Sequence, residues 1–346
     1  MLFGSCPAPI LDHKEIVLGH GSGGRLTHQL VGKMVLPAFR NEILASEHDG
    51  AVFALDGTRL AFSTDSYIVH PIFFPGGDIG DLAVNGTVND LAMCGARPLY
   101  LSASLIIEEG LSMDELWRVL CSMKNAADKA DVKLVTGDTK VVDRGKGDKI
   151  FINTSGIGVV GTGVNIDPAR TRHGDVIILS GPIASHGMAI MSVREGLEFE
   201  TPIESDTAAL NGLVETMLNT SKEIKVLRDP TRGGVASALN EIAQKSGSGI
   251  RIQESSIPVQ SDVHGACEIL GLDPLYVANE GKLLAFVSPS DAEKILCAMR
   301  KHPLGRDAVV IGEVVTDHPG TVVMKTRVGG SRVVDMLSGE QLPRIC

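Results

Sequence analysis

Four aspartates, one lysine and a terminal thiol are the residues of this chain best suited to chemistry. Asp49 lies between His48 and Gly50 in a turn ahead of an apolar run at 51–55. Asp65 closes a second strand in Ser63-Thr64-Asp65-Ser66, and Asp138 closes a third in Thr136-Gly137-Asp138-Thr139-Lys140. Asp90 falls near the end of a helix expected over 79–94, with Gly95 as its stop signal. In that helix Asp81, Asn85 and Asn89 are four apart and share a face. Carboxylates and amides aligned in this way are poor core material and suit oxygen ligation of Mg²⁺ and a triphosphate. A solvated, capped helix face is the competing reading. One such Asp would be a turn residue, but three at strand or turn ends, together with Asp90, imply oxygens converging on hard cations.

Two glycine-rich turns offer the opposite chemistry. Gly19-His20-Gly21-Ser22-Gly23-Gly24 precedes a helical pattern (Leu26, Leu30, Met34), so its backbone N–H groups can cradle an anion. Gly19, Gly21 and Gly24 also fit the dinucleotide pattern G-x-G-x-x-G, but the acidic residue that should follow the next strand is missing. A phosphate-covering loop, a plain flexible loop and a dinucleotide turn all stay open, whereas a Walker A loop is absent. The second turn, Asp229-Pro230-Thr231-Arg232-Gly233-Gly234, opens another helix and reads equally as an anion cradle or a tight turn. The chain ends Pro343-Arg344-Ile345-Cys346, and Pro343 disfavours helix just before it. From Gly339 onward an extended segment reaches roughly 25 Å, enough to carry the Cys346 thiol into a cleft. A frayed end that happens to finish in Cys is the bland alternative.

Composition bounds the rest. At 346 residues the chain suits two domains, and 43% apolar with 21% charged residues is an ordinary globular balance. A net charge of −10 without a basic block argues against nucleic acid as a partner. No basic-then-apolar leader or 18-residue apolar run occurs, so a cytoplasmic protein without a membrane span is expected. The six cysteines form no C-x-x-C pair and no zinc spacing.

The elements that must position these groups follow from pattern and punctuation. Short strands are expected at 15–19, 51–55, 59–63, 99–107, 132–135 and 151–160, with helices at 25–39, 79–94 and from the capping box Ser112-Met113-Asp114-Glu115. After a Gly- and Pro-containing boundary at 161–174, strands are expected at 175–180, 225–227, 283–287, 308–315 and 321–325. Helices are expected at 184–195, 206–218, 235–245 and 290–300. The domain reading is an N-terminal extension 1–14, a first domain 15–163, a second 164–330 and a mobile tail 331–346.

With these pieces in place the chain resembles the HypE family of hydrogenase maturation factors, carbamoyl dehydratases of the AIR synthase-like (PurM-like) superfamily. The resemblance rests on His20–Gly24, Ser63-Thr64-Asp65-Ser66-Tyr67, Phe73-Phe74-Pro75-Gly76-Gly77, Asn89-Asp90, the run from Thr136 to Val142, Asp229 to Gly234, Ala278-Asn279-Glu280-Gly281-Lys282 and the terminal tetrapeptide. It runs from about residue 15 to the end. It implies an α/β (α+β) two-domain fold whose N-terminal sheet domain forms a homodimer, with ATP and Mg²⁺ in a cleft. It implies that Cys346 receives a carbamoyl group from a HypF-type carbamoyltransferase, dehydrates it to a thiocyanate, and passes cyanide to iron on a HypC–HypD scaffold. Asp49, Asp65, Asp90 and Asp138 would then hold Mg²⁺. Gly21, Ser22, Gly23, Gly24, Asp65, Asn85, Gly137, Asp138 and Thr139 would contact the nucleotide. Lys140 and Glu280 are candidates for electrophilic help and proton removal, although Lys140 could equally be a charge neutraliser and Glu280 an anchoring carboxylate. Two further functions stay in view: a small-molecule ATP enzyme like AIR synthase or thiamine-monophosphate kinase, and a thiol carrier without chemistry of its own.

Overall fold

Strand alternation sets the first layer. Along Ile150–Val160 every second residue, from Ile150 through Thr154 to Val160, is buried, so this strand shows one face to helices and one outward. The computed structural model describes residues 13–46, 48–197, 199, 202–339, 342 and 344–346. Among them the N-terminal half contains β1 (Ala51–Leu55), β2 (Thr58–Tyr67), a small hairpin β3 (Phe73–Phe74) and β4 (Gly77–Asp78), and α3 (Ile79–Met93). These follow a helical run of α1 (Arg25–Leu30), a π-turn at Val31–Val35 and α2 (Leu36–Phe39). Next come β5 (Ala96–Glu108), α4 (Met113–Lys129), β6 (Lys133–Val142) and β7 (Ile150–Val160). The sheet order is β1-β2-β7-β5-β6, antiparallel except for the β5–β6 pair.

Helix α3 starts because the Asp78 carboxylate accepts the N–H groups of Gly80 and Asp81, and stops at Gly95 in the left-handed region. It is buried on nearly every side, since it lies between the sheet and the C-terminal half. Glycine is required at Gly86, where a Cβ would sit 2.1 Å from the Tyr67 hydroxyl. Ser112 caps α4 through the Glu115 N–H, as the capping box predicts.

The C-terminal half is built from β8 (Val176–Leu179), α5 (Ser185–Glu195), α6 (Asn211–Thr220), β9 (Ile224–Arg228), α7 (Gly234–Ser246) and β10 (Gly249–Gln253). It continues with α8 (Ser261–Leu270), β11 (Leu284–Val287), α9 (Pro289–Arg300), β12 (Val309–Val315), β13 (Val322–Lys325) and β14 (Ser331–Val334). Its sheet runs β14-β13-β10-β12-β8-β11-β9. One apolar cluster joins α3 and the first sheet to Leu213 and Met217 of α6, Ile295 of α9 and Ile345 of the tail. The two halves therefore share a core.

Several local expectations change. Residues 15–19 form no strand; Leu18–Gly21 is a 3₁₀ turn. Asp65 and Asp138 sit within strands, because β2 extends to Tyr67 against β7 and β6 extends to Val142 along β5. Backbone pairing across the sheet overrides the local Gly and polar signals. Strand β10 and helix α8 were not anticipated, and residues 331–334 pair with β13, so the chain leaves the sheet only after Val334. The N-terminal residues 1–12 and Pro343 lie outside the described residues.

Candidate active site

The carboxylates meet where the two halves touch. Asp49 precedes β1, Asp90 lies in the last turn of α3, and Asp229 follows β9; one oxygen from each lies within 4.8 Å of the others. Ser63 of β2 braces the group, its Oγ 2.7 Å from Asp90 Oδ2 and 2.9 Å from the Asp49 carbonyl. Arg228 pairs with Asp49 and with Glu241, which also meets His28 at 2.9 Å. Burial would lower the Arg228 guanidinium pKa, but Asp49 and Glu241 raise it above its ordinary value. Burial, and then repulsion from Asp229 and Asp65, raises Asp90 well above the usual carboxylate range. Burial and then Asp49 push Asp229 up to about 7. Asp49 Oδ2 is buried without a hydrogen bond among the described residues, with His48 Nδ1 3.9 Å away. Crowded, desolvated carboxylates are relieved by a shared proton, by Arg228 or by a cation, and the all-oxygen donor set fits Mg²⁺.

The thiol reaches groups that adjoin this cluster. Cys346 faces the Glu280 carboxyl and the Arg232 guanidinium, with Asp65 in electrostatic reach. Burial first, and Glu280 second, raises the thiol well above its usual range, so it is protonated here at neutral pH. Glu280 is buried, its Oε1 unpaired among the described residues, and burial followed by Asp229 and Asp65 raises its carboxyl. Asp65 is raised by burial, an effect that Arg232 opposes. Arg232 also donates from Nη1 to the Gly21 carbonyl at 2.9 Å. The glycine loop thus folds over this corner: a Cβ on Gly23 would lie 2.8 Å from the Arg232 carbonyl, and one on Gly24 would lie 2.4 Å from that of Leu337. Arg25 N–H donates to the Leu337 carbonyl and Ser22 Oγ to that of Gly339, so loop and tail base are stitched together.

Of the residues picked out in the sequence, Asp49 and Asp90 join the cluster, Asp65 stands beside it, and Cys346 and Glu280 meet. The helix face 81, 85, 89 serves another end. Asp81 completes the cap of α3 by accepting the Asp78 N–H, Asn85 reaches Thr207 at 3.3 Å, and Asn89 ties down Ala208 and Leu210. These contacts join the halves. Gly137, Asp138, Thr139 and Lys140 are not brought to the cluster within one chain. They lie exposed on edge strand β6, with Lys140 Nζ 2.5 Å from Asp138 Oδ2, separated from β2 by the two strands β7 and β5. An open groove of about 880 Å³ between α4 and β6 is lined by residues 136–139. Asp229, Arg228 and Arg232 were missed as site residues. Their signal was present in Asp229-Pro230-Thr231-Arg232, a strand end bearing an Asp like the others. The following Gly233-Gly234 serves a tight turn, since a Cβ on Gly234 would lie 2.4 Å from the Leu275 carbonyl.

Comparison with known proteins agrees with this architecture. The model for the N-terminal domain of AIR synthase related proteins matches residues 47–160, and that for the C-terminal domain matches residues 172–325. The fold is that of an AIR synthase-related protein. The carbamoyl dehydratase HypE of Cupriavidus necator is 56% identical over 333 residues, 96% of this chain and 95% of its own. A solved HypE–HypF complex contains a chain with TM-score 0.85 and 50% identity, covering 89% of this chain and 99% of that one. A HypE solved with ATP gives TM-score 0.81 and 50% identity, covering 96% of this chain and 100% of that one. The chain belongs to the HypE family of carbamoyl dehydratases, enzymes of hydrogenase maturation.

Proposed function

We propose that the protein dehydrates an S-carbamoyl group carried on its own Cys346 to an S-cyano group at the expense of ATP, supplying cyanide for hydrogenase iron. One observation carries this reading: the terminal thiol lies in electrostatic reach of Glu280, Arg232 and Asp65, and Glu280 in turn feels Asp229 of the carboxylate cluster. A carboxamide oxygen is a poor leaving group. Transfer of the γ-phosphoryl group to it lets phosphate depart instead, and loss of both N–H protons leaves the nitrile. Phosphoryl transfer needs mainly positioning and charge neutralisation. Asp49, Asp90 and Asp229, with Asp65 beside them, would hold Mg²⁺, which when bound neutralises phosphate charge. Arg232 is placed to hold the carboxamide oxygen. Glu280, in its ionised form, would take an N–H proton; burial and neighbouring carboxylates disfavour that form, and the Arg232 guanidinium favours it. The Gly21–Gly24 loop would cover the phosphates. Carrying the substrate on its own tail makes the reaction intramolecular.

Nucleotide binding is supported by the relative solved with ATP, and a HypF-type carbamoyl donor by the relative solved with HypF. Delivery to a HypC–HypD scaffold and a cytoplasmic setting complete the reading. Lys140, Gly137, Asp138 and Thr139 can act at such a site only from a second copy. Exposed Phe62, Tyr100, Ile106, Val135 and Val141 on the first sheet support a homodimer that would bring them there. Intact mass after treatment with the carbamoyl donor system and then Mg·ATP tests the proposal. A gain of one carbamoyl group followed by loss of one water is expected. A carbamoylated tail that never loses water would leave a carrier, and small-molecule turnover surviving removal of Cys346 would favour a kinase-like enzyme.

A further inference from the structure

Along β2 every second side chain faces α3: Ser63, Asp65 and Tyr67 point inward, and Val69 continues the row beyond the end of the strand. At one end of this row Ser63 braces Asp90. At the other end the chain terminus is held. Ile68 N–H donates to a terminal Cys346 oxygen at 3.1 Å, Val69 pairs with Ile345, and His186 Nε2 meets the Ile345 carbonyl at 2.7 Å. Tyr67 lies between these two ends. It is 1% exposed, yet its hydroxyl oxygen makes no hydrogen bond among the described residues. The polar groups beside it are already engaged. Thr154 Oγ1 donates to the Ala83 carbonyl at 2.7 Å, so the 2.6 Å contact between the threonines spends the Thr87 hydrogen on Thr154. Asp65 Oδ1 accepts the Ser66 N–H at 2.7 Å. Helix α3 leaves room for the phenol only because residue 86 is glycine, whose Cβ would lie 3.0 Å from the ring carbon that bears the hydroxyl. A buried hydroxyl without a partner costs stability, and phenylalanine would fill the same space without that cost. The oxygen therefore answers to a group that arrives with the reaction. Asp65, Asp90 and Glu280 lie in electrostatic reach of it, and Arg232 feels Cys346 and Tyr67 together.

We propose that Tyr67 is a further catalytic residue, whose hydroxyl donates a hydrogen bond to the carboxamide oxygen carried on Cys346 as that oxygen departs on phosphate. The proposal deepens the dehydratase reading above and rests on it. In the step concerned the C–O bond breaks, and its electron pair leaves with the phosphorylated oxygen. The electrons of the remaining N–H bond complete the C≡N bond, and the proton passes to Glu280. Negative charge builds on the departing oxygen, so a fixed donor there bonds more strongly in the transition state than before it. Tyr67 keeps its own proton throughout and acts beside the Arg232 guanidinium as the second donor to one oxygen.

Tyr67→Phe removes a single oxygen and keeps the ring. In one turnover of the carbamoylated full-length chain with Mg·ATP, Y67F should form ADP at the wild-type rate. Its loss of water, followed by intact mass, should be slower by about 10²–10³-fold, the usual worth of one such donor. Carbamoylation of Cys346 and ATP affinity by calorimetry should match wild type, and the melting temperature should not fall. Water loss at the wild-type rate would overturn the proposal, as would ADP formation slowed as much as water loss. A Y67F chain that melts below wild type would also overturn it, because the hydroxyl would then serve the fold. A wild-type chain that is carbamoylated but never loses water would instead refute the dehydratase reading, and the role of Tyr67 with it.

Discussion

Replacing Asp229 by Asn tests whether the carboxylates are held together for a cation. Two unit charges 4.8 Å apart repel by about 3.5 kcal/mol at an effective dielectric constant of 20. Arg228 offsets part of this at Asp49, and Asp229, raised to about 7, sheds part by holding a proton at neutral pH. A carboxyl raised on folding stabilises below its unfolded value and loses that contribution as pH rises through about 7. The advantage of Asn is therefore greatest above that point. At pH 8 in chelator, D229N should be more stable than wild type by about 1–3 kcal/mol, or about 1.5–4 °C for a chain of 346 residues. Magnesium should act in the opposite sense. Wild type should gain about 2.7 kcal/mol at a hundredfold excess over Kd, and D229N should gain little. Differential scanning fluorimetry in chelator and in Mg²⁺ reads both effects. A variant less stable than wild type in chelator, or one retaining the full magnesium shift, would refute the reasoning.

Glu280→Gln should slow loss of water from the carbamoylated tail by about 10²–10⁴-fold, the usual worth of general acid–base help, with ATP affinity unchanged by calorimetry. The docked Cys346 thiol has a raised pKa, so docking is fully favoured below the ordinary thiol value near 9 and is lost as pH rises beyond it. Alkylation of Cys346 between pH 7 and 10 should therefore rise more steeply than that of a free peptide; parallel curves would mean the tail is not held. Val141→Asp, on a strand where Val141 is 67% exposed, should convert the proposed homodimer to a monomer by light scattering while leaving the fold's circular dichroism intact; a wild-type chain that is already monomeric would refute the dimer.

The sequence alone determined which residue types could act and the order in which elements appear. Turn punctuation located Asp49, helix capping and Gly95 located Asp90, and a cysteine at the end of a Pro-kinked segment marked the thiol. Such signals are local, set by backbone sterics and capping over a few residues. Tertiary structure decided which of these groups meet. Asp138 and Lys140 look like Asp65 in sequence, yet β6 pairs at the sheet edge with two strands between it and β2, and sheet order is not encoded locally. Asp229 and Arg232 read as a turn until β9 was laid against α3. His186, an unremarked residue on a buried helix, became a tail ligand only when residues 68–70 and 344–346 were paired across the whole length of the chain. Long-range backbone pairing and shared burial choose the partners, and no window of sequence contains both sides of those contacts.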